Sequence, residues 1–168
     1  TYLALGDSYT IGEQVPYFDS FPVQLVQLLR KKGKAFAAAE IIARTGWTTD
    51  ELQHQIHQSS LLPSYDLVTL LIGVNNQYRG RTPENYQPEF IALLEQAIGL
   101  AGNKPGSVVV LSIPDWGVTP FAEARDQQQI SREIDRYNAI NRQVAERCGT
   151  KYVSFTEGSR EVVKDPEL

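Results

Sequence analysis

DLVTLLI, residues 66–72, is apolar along most of its length instead of alternating apolar with polar. A strand of that kind is buried on both faces, as in a parallel sheet covered by helices on either side. SVVVLSI, residues 107–113, has the same character, and Tyr2, Leu3, Ala4 and Leu5 form a shorter run at the start of the chain. Residues 37–43 and 151–155 complete a set of five candidate strands. The first of these two is alanine-rich, and alanine favours helix.

Helical signals separate the runs. Residues 22–32 place Val23, Leu25, Val26, Leu28 and Leu29 on a broad apolar face. Arg30, Lys31 and Lys32 fill the last turn and Gly33 follows, both stop signals. Thr48-Thr49-Asp50-Glu51 matches a capping box and predicts a helix to about Gln58. Thr82-Pro83 opens another, with Tyr86, Phe90, Leu93, Leu94, Ala97 and Ile98 as its stripe and Gly102 past its end. Residues 127–147 predict the longest helix, with Ile130, Ile134, Tyr137, Asn141 and Val144 near one face and Gly149 closing it. Five strands alternating with four helices predict an α/β fold: a three-layer α/β/α, doubly wound five-stranded parallel sheet.

The 168 residues contain no repeat, low-complexity stretch or linker, so residues 1–168 read as a single domain. The formal net charge of -4 argues against nucleic acid or an anionic membrane as partner, since both attract basic surfaces. No apolar run approaches the ~18 residues of a transmembrane helix. Cys148 is the only cysteine, which excludes an internal disulfide. The Cys/His clusters of a zinc site are lacking too, and no cofactor is expected. The chain begins at Thr1 and has no methionine, so it reads as a processed or trimmed product. A secreted or periplasmic location with the signal segment removed is compatible with that.

In doubly wound sheets, ligands bind beyond the carboxyl ends of the strands. Four loops qualify: those after Leu5, Ala43, Ile72 and Ile113. The first holds Gly6-Asp7-Ser8, where a strand turns into a loop and the Ser8 hydroxyl can face a cleft. The second holds Gly46, two residues before the N-cap Thr48. A glycine amide there approaches a ligand closely, near a helix end that favours negative charge. The third is Gly73-Val74-Asn75-Asn76-Gln77, in which Asn75 can donate a side-chain N–H. Taken singly, each also reads as an ordinary turn residue.

Together the three loops resemble the SGNH (GDSL-type) hydrolase family of esterases and lipases. Gly6-Asp7-Ser8 corresponds to its first block, Gly46 to its glycine block and Gly73-Val74-Asn75 to its Gly-x-Asn-Asp block, with Asn76 in place of Asp. The resemblance implies a flavodoxin-like SGNH fold and a serine ester hydrolase that works through an acyl-enzyme. Ser8 is then the nucleophile. The Ser8 amide, the Gly46 amide and the Asn75 side chain form the oxyanion hole. Asp7 supports its loop, and Asn76 keeps a structural hydrogen bond. The partner implied is a small-molecule ester; short acyl esters, acetylated sugars and lysophospholipids all occur in the family.

The family's fourth block, Asp-x-x-His, supplies the base. Setting Asp165 as its Asp puts Leu168 where the His belongs. The block is therefore expected beyond Leu168, together with a last helix. His54 and His57, at i and i+3 of one helix, read as a solvent-exposed pair. Trp116 and Phe121, after the fourth strand, could line an acyl or leaving-group pocket or cap the core. Gln77, Tyr78, Arg79 and Arg81 could touch substrate. A missing base leaves room for a second class of function, a catalytically silent binding or scaffold protein on a hydrolase fold. A flavodoxin-like cofactor or phosphoryl-signalling domain fits poorly, because the first loop lacks a phosphate cradle.

Overall fold

The computed structural model describes residues 1–161. Five strands, β1 (Tyr2–Gly6), β2 (Glu40–Ala43), β3 (Leu67–Leu71), β4 (Val108–Leu111) and β5 (Lys151–Val153), form one sheet in the order β2-β1-β3-β4-β5. Every pairing is parallel. Seven helices accompany them among the described residues: α1 (Ser8–Ile11), α2 (Phe21–Lys31), α3 (Thr49–Gln58), α4 (Val74–Tyr78), α5 (Pro83–Leu100), α6 (Gln127–Arg147) and α7 (Thr156–Glu161). The expected doubly wound α/β/α sandwich is the fold observed.

Alternation along β1 shows how the two faces differ. Leu3 and Leu5 enter a large core with Leu52 and Ile56 of α3, Phe90 and Leu94 of α5, and Ile134 and Val144 of α6. Tyr2 and Ala4 point to the other face and pack with Val26 of α2. That division follows from the two-residue period of a strand. On the second face, Val109 and Leu111 of β4 stay half-buried, and Val153 of β5 is 46% exposed.

The long elements fall where the sequence puts them, and α6 spans residues 127–147 as read. Three expectations need correction. The alanine-rich stretch contributes only Glu40–Ala43, because pairing with β1 begins at Leu3↔Glu40 and residues 37–39 stay outside the ladder. β5 stops at Val153 rather than at residue 155. Ser8 starts a helix and does not sit in a loop. The helices α1, α4 and α7 have four to six residues, too few to display a 3.6-residue period. Residues 162–168, with Asp165 and Leu168, lie outside the described residues. Among the described residues, no helix is long and apolar enough to cross a membrane.

Candidate active site

The last residue of β1 is Gly6, and nothing larger fits there. A Cβ there would lie 2.0 Å from Thr10 Oγ1 and 2.5 Å from the Leu71 carbonyl oxygen. Asp7 then caps α1, its Oδ1 accepting from the Tyr9 amide at 3.1 Å. Ser8 is thereby the first residue of a one-turn helix, which Gly12 closes in the left-handed region at φ 70°. Asp7 is 1% exposed, and burial pushes its carboxyl up to about 7, opposed by the bond from Tyr9. Its Oδ2 has no hydrogen-bond partner among the described residues.

The loop after β2 turns through Arg44–Trp47, with the Trp47 amide donating to the Arg44 carbonyl at 3.2 Å. Gly46 holds φ 83° in that turn. Thr48 then caps α3, and its amide donates to the Glu51 carboxylate at 2.9 Å, one half of the capping box read from the sequence.

After β3, Gly73 takes φ 127°, and a Cβ on it would meet Tyr86 Oη at 2.7 Å and Ile113 Cδ1 at 2.8 Å. The chain turns at once into α4, which carries Asn75. Asn75 Nδ2 donates to the Trp47 carbonyl at 3.0 Å. The neighbouring Asn76 is fully buried. Its Oδ1 accepts from the Thr49 amide at 3.1 Å, the structural bond expected of it, and its Nδ2 donates to Thr49 Oγ1 at 2.7 Å and to Glu89 Oε2 at 3.4 Å. The Thr49 hydroxyl also donates to Glu89. An aspartate at 76 could accept from Thr49 but would face the Glu89 carboxylate without a proton to offer. The departure from the family pattern thus suits this chain's own neighbour.

Ser8, Gly46, Asn75, Trp116 and Phe121 all line one open cleft of about 680 Å³. Trp116 is nearly buried, and its indole N–H donates to Gln77 Oε1 at 2.8 Å. Phe121 is 69% exposed at the rim. Tyr78 joins them, with ring centroids 5.4 Å from Trp116 and 6.2 Å from Phe121. The Arg125 guanidinium sits 4.6 Å from the centre of the Tyr78 ring.

Of the four residues read as possible substrate contacts after Asn75, only Tyr78 lines the cleft. Gln77 is occupied by Trp116 and by Glu133 at 2.8 Å, Arg79 by Gly46 and Glu51, and Arg81 by Asp50 and Glu89. The sequence reading missed the segment after Ser8 that contributes Gly12, Val15, Ser20 and Phe21 to the lining of the cleft. The apolar residues Val15 and Phe21 in a segment without strand or helix period were the available signal. His54 and His57 are both exposed on α3 and are not among the residues lining the cleft. Among the described residues, no cluster of three His, Cys, Asp or Glu side chains could hold a metal ion.

Residues 4–168 match the GDSL-like Lipase/Acylhydrolase family. The chain belongs to that family. It is a hydrolase of ester bonds. The solved structures that the hydrolase resembles include AlinE4, an SGNH-hydrolase family esterase, at TM-score 0.74 and 23% identity, over 99% of this chain and 80% of that one. Another is Axe2, an acetylxylan esterase from Geobacillus stearothermophilus, at TM-score 0.73 and 19% identity, over 98% and 80% of the two chains. A third is TesA, at TM-score 0.69 and 20% identity, over 94% and 79%. At these identities the likeness is one of fold. A comparison with curated proteins gives no match.

Proposed function

We propose that this hydrolase cleaves carboxylic esters through an acyl-enzyme on Ser8. The observation that carries the reading is that Ser8, Gly46 and Asn75, from the ends of three different strands, line the same cleft. Ser8 Oγ attacks the acyl carbonyl as its proton passes to a base. The carbonyl oxygen becomes an oxyanion held by the amides of Ser8 and Gly46 and by the Asn75 side chain. Collapse expels the alcohol, which takes the proton from the base, and leaves the acyl group on Ser8. Water then repeats the sequence and releases the acid. Preorganised donors act most strongly on the charge that develops in the transition state, about 3–4 kcal/mol for one donor.

We assign the base to the Asp-x-x-His pair that the family resemblance implies after the fifth strand, beyond the described residues. Neither His54 nor His57 lines the cleft, which supports that assignment. We place the acyl group against the wall formed by Tyr78, Trp116 and Phe121. The volume of the cleft lies within the range of small-molecule sites, roughly 300–1,000 Å³.

A fluorophosphonate tests the nucleophile. In the full-length protein it labels Ser8 and spares Ser20, which lines the same cleft but donates its hydroxyl to the Tyr17 carbonyl at 2.9 Å. Peptide mapping locates the adduct. An adduct on Ser20, or none on Ser8, rejects the assignment.

A further inference from the structure

α4 grips the loop after β2 at two successive carbonyls. Asn75 Nδ2 donates to the carbonyl of Trp47 at 3.0 Å, and Arg79 Nη2 donates to the carbonyl of Gly46 at 2.6 Å. The two gripping residues stand one helical turn apart, the Arg79 amide bonding the Asn75 carbonyl at 3.0 Å. The Arg79 guanidinium also pairs with Glu51 of α3 at 3.2 Å. Trp47 packs against the large core, but Gly46 has no side chain to anchor it. Within the turn Arg44–Trp47 the backbone makes one hydrogen bond, and Gly46 in its third position has the freest backbone of any residue type.

We infer that Arg79 is a positioning residue for the oxyanion site, bridging the Gly46 carbonyl and the Glu51 carboxylate so that the Gly46 backbone is held in its left-handed conformation. This rests on the proposed role of Gly46. Arg79 does not line the cleft, so it acts through Gly46 and not on substrate. Its planar fork suits the task, since it donates to two acceptors at fixed angles, whereas a lysine ammonium is a single point. Stability is not its main contribution. Arg79 and Glu51 side chains are 44% and 39% exposed, and ion pairs so open to water contribute little to folding. A donor displaced by a fraction of an ångström, by contrast, loses much of its effect on the transition state.

The test compares Arg79→Met, Arg79→Lys and Asn75→Ala in the full-length protein, with kcat and KM measured on an aryl ester. The affinity of a boronic acid, which forms a tetrahedral adduct with the nucleophile, is measured beside them. Arg79→Met is expected to lower kcat roughly 10- to 50-fold with KM unchanged, and to weaken the boronic acid by a similar factor. Arg79→Lys, which keeps the charge but not the fork, should recover part of the loss. It also serves as the second variant if Arg79→Met folds poorly. Full activity in Arg79→Lys would show that charge suffices and would overturn the bridging role. Wild-type kcat in Arg79→Met, with Asn75→Ala impaired, overturns the inference about Arg79 alone. Wild-type kcat in Asn75→Ala overturns the oxyanion reading, and the inference with it.

Discussion

The Asn75 side chain donates to the Trp47 carbonyl across 3.0 Å, tying α4 to the turn after β2. The bond uses one of the two N–H groups of the amide. The other has no protein partner among the described residues, and Asn75 lines the cleft.

Asn75→Ala therefore has two consequences of different size. We expect kcat for a simple aryl ester to fall about 10²–10³-fold while KM stays nearly constant, because the lost donor acts mainly in the transition state. Folding stability should drop by only about 1 kcal/mol, the usual net value of one hydrogen bond. Steady-state kinetics and urea unfolding of the full-length protein measure both. A raised KM at constant kcat would make Asn75 a ground-state binding residue instead.

Asp7 gives a pH dependence whose sign is fixed by burial. Its carboxyl is pushed up from the usual 3.8 to about 7 by desolvation, so the native state keeps the proton where the unfolded chain has lost it. Between about pH 4 and pH 7, stability then falls as pH rises, and it levels off above. Asp7→Asn cannot titrate but can still accept from the Tyr9 amide. Urea unfolding of both proteins from about pH 4.5 to pH 8 should show the variant gaining on wild type as pH rises. A difference that does not change with pH would contradict the burial argument.

Gly73 and Gly80 separate steric from conformational demand. Both have positive φ, 127° and 71°, but only at Gly73 would a Cβ strike its surroundings. Gly80→Ala should cost about 1–2 kcal/mol, the penalty for a left-handed alanine. Gly73→Ala should cost about 3 kcal/mol or more, since it adds a clash with the fully buried Tyr86. Chemical denaturation ranks the two, and equal losses would refute the distinction.

Phe121 tests the acyl wall. At 69% exposed it contributes little to folding, so Phe121→Ala should change stability by less than about 0.5 kcal/mol. KM for esters of long or aromatic acids should rise roughly 3- to 10-fold, while acetate esters change little, because only the larger groups reach the ring. An ester series with one alcohol and varied acids reads the effect. A uniform rise across the series would move the acyl group to another wall.

The candidate residues could be picked out in the sequence because they lie at strand ends. Ser8, Gly46 and Asn75 follow β1, β2 and β3, and a doubly wound topology brings the carboxyl ends of neighbouring parallel strands together. The segment from Gly12 to Phe21 was not legible. It has no long regular element, and its place in the lining of the cleft depends on the turn at Gly12 and on Ser20, which a Cβ at Gly12 would approach to 2.8 Å. The residues after Asn75 were misread for a related reason. Adjacency in sequence could not tell that Tyr78 faces the cleft while Gln77, Arg79 and Arg81 turn to partners 8 to 56 residues away.

By itself the sequence determined the order of the five strands and the four long helices, since apolar runs and helical stripes are local patterns whose burial requires a two-sided sheet. It also determined which chemical groups stand at the strand ends. The tertiary structure alone decided how those groups are held. The pairing of Asn76 with Thr49 and Glu89, the grip of Arg79 on Gly46, and the proton affinity of Asp7 all arise from contacts or burial that distant segments supply. Hydrogen bonds and desolvation act over a few ångströms in space, and separation along the chain carries no record of that distance.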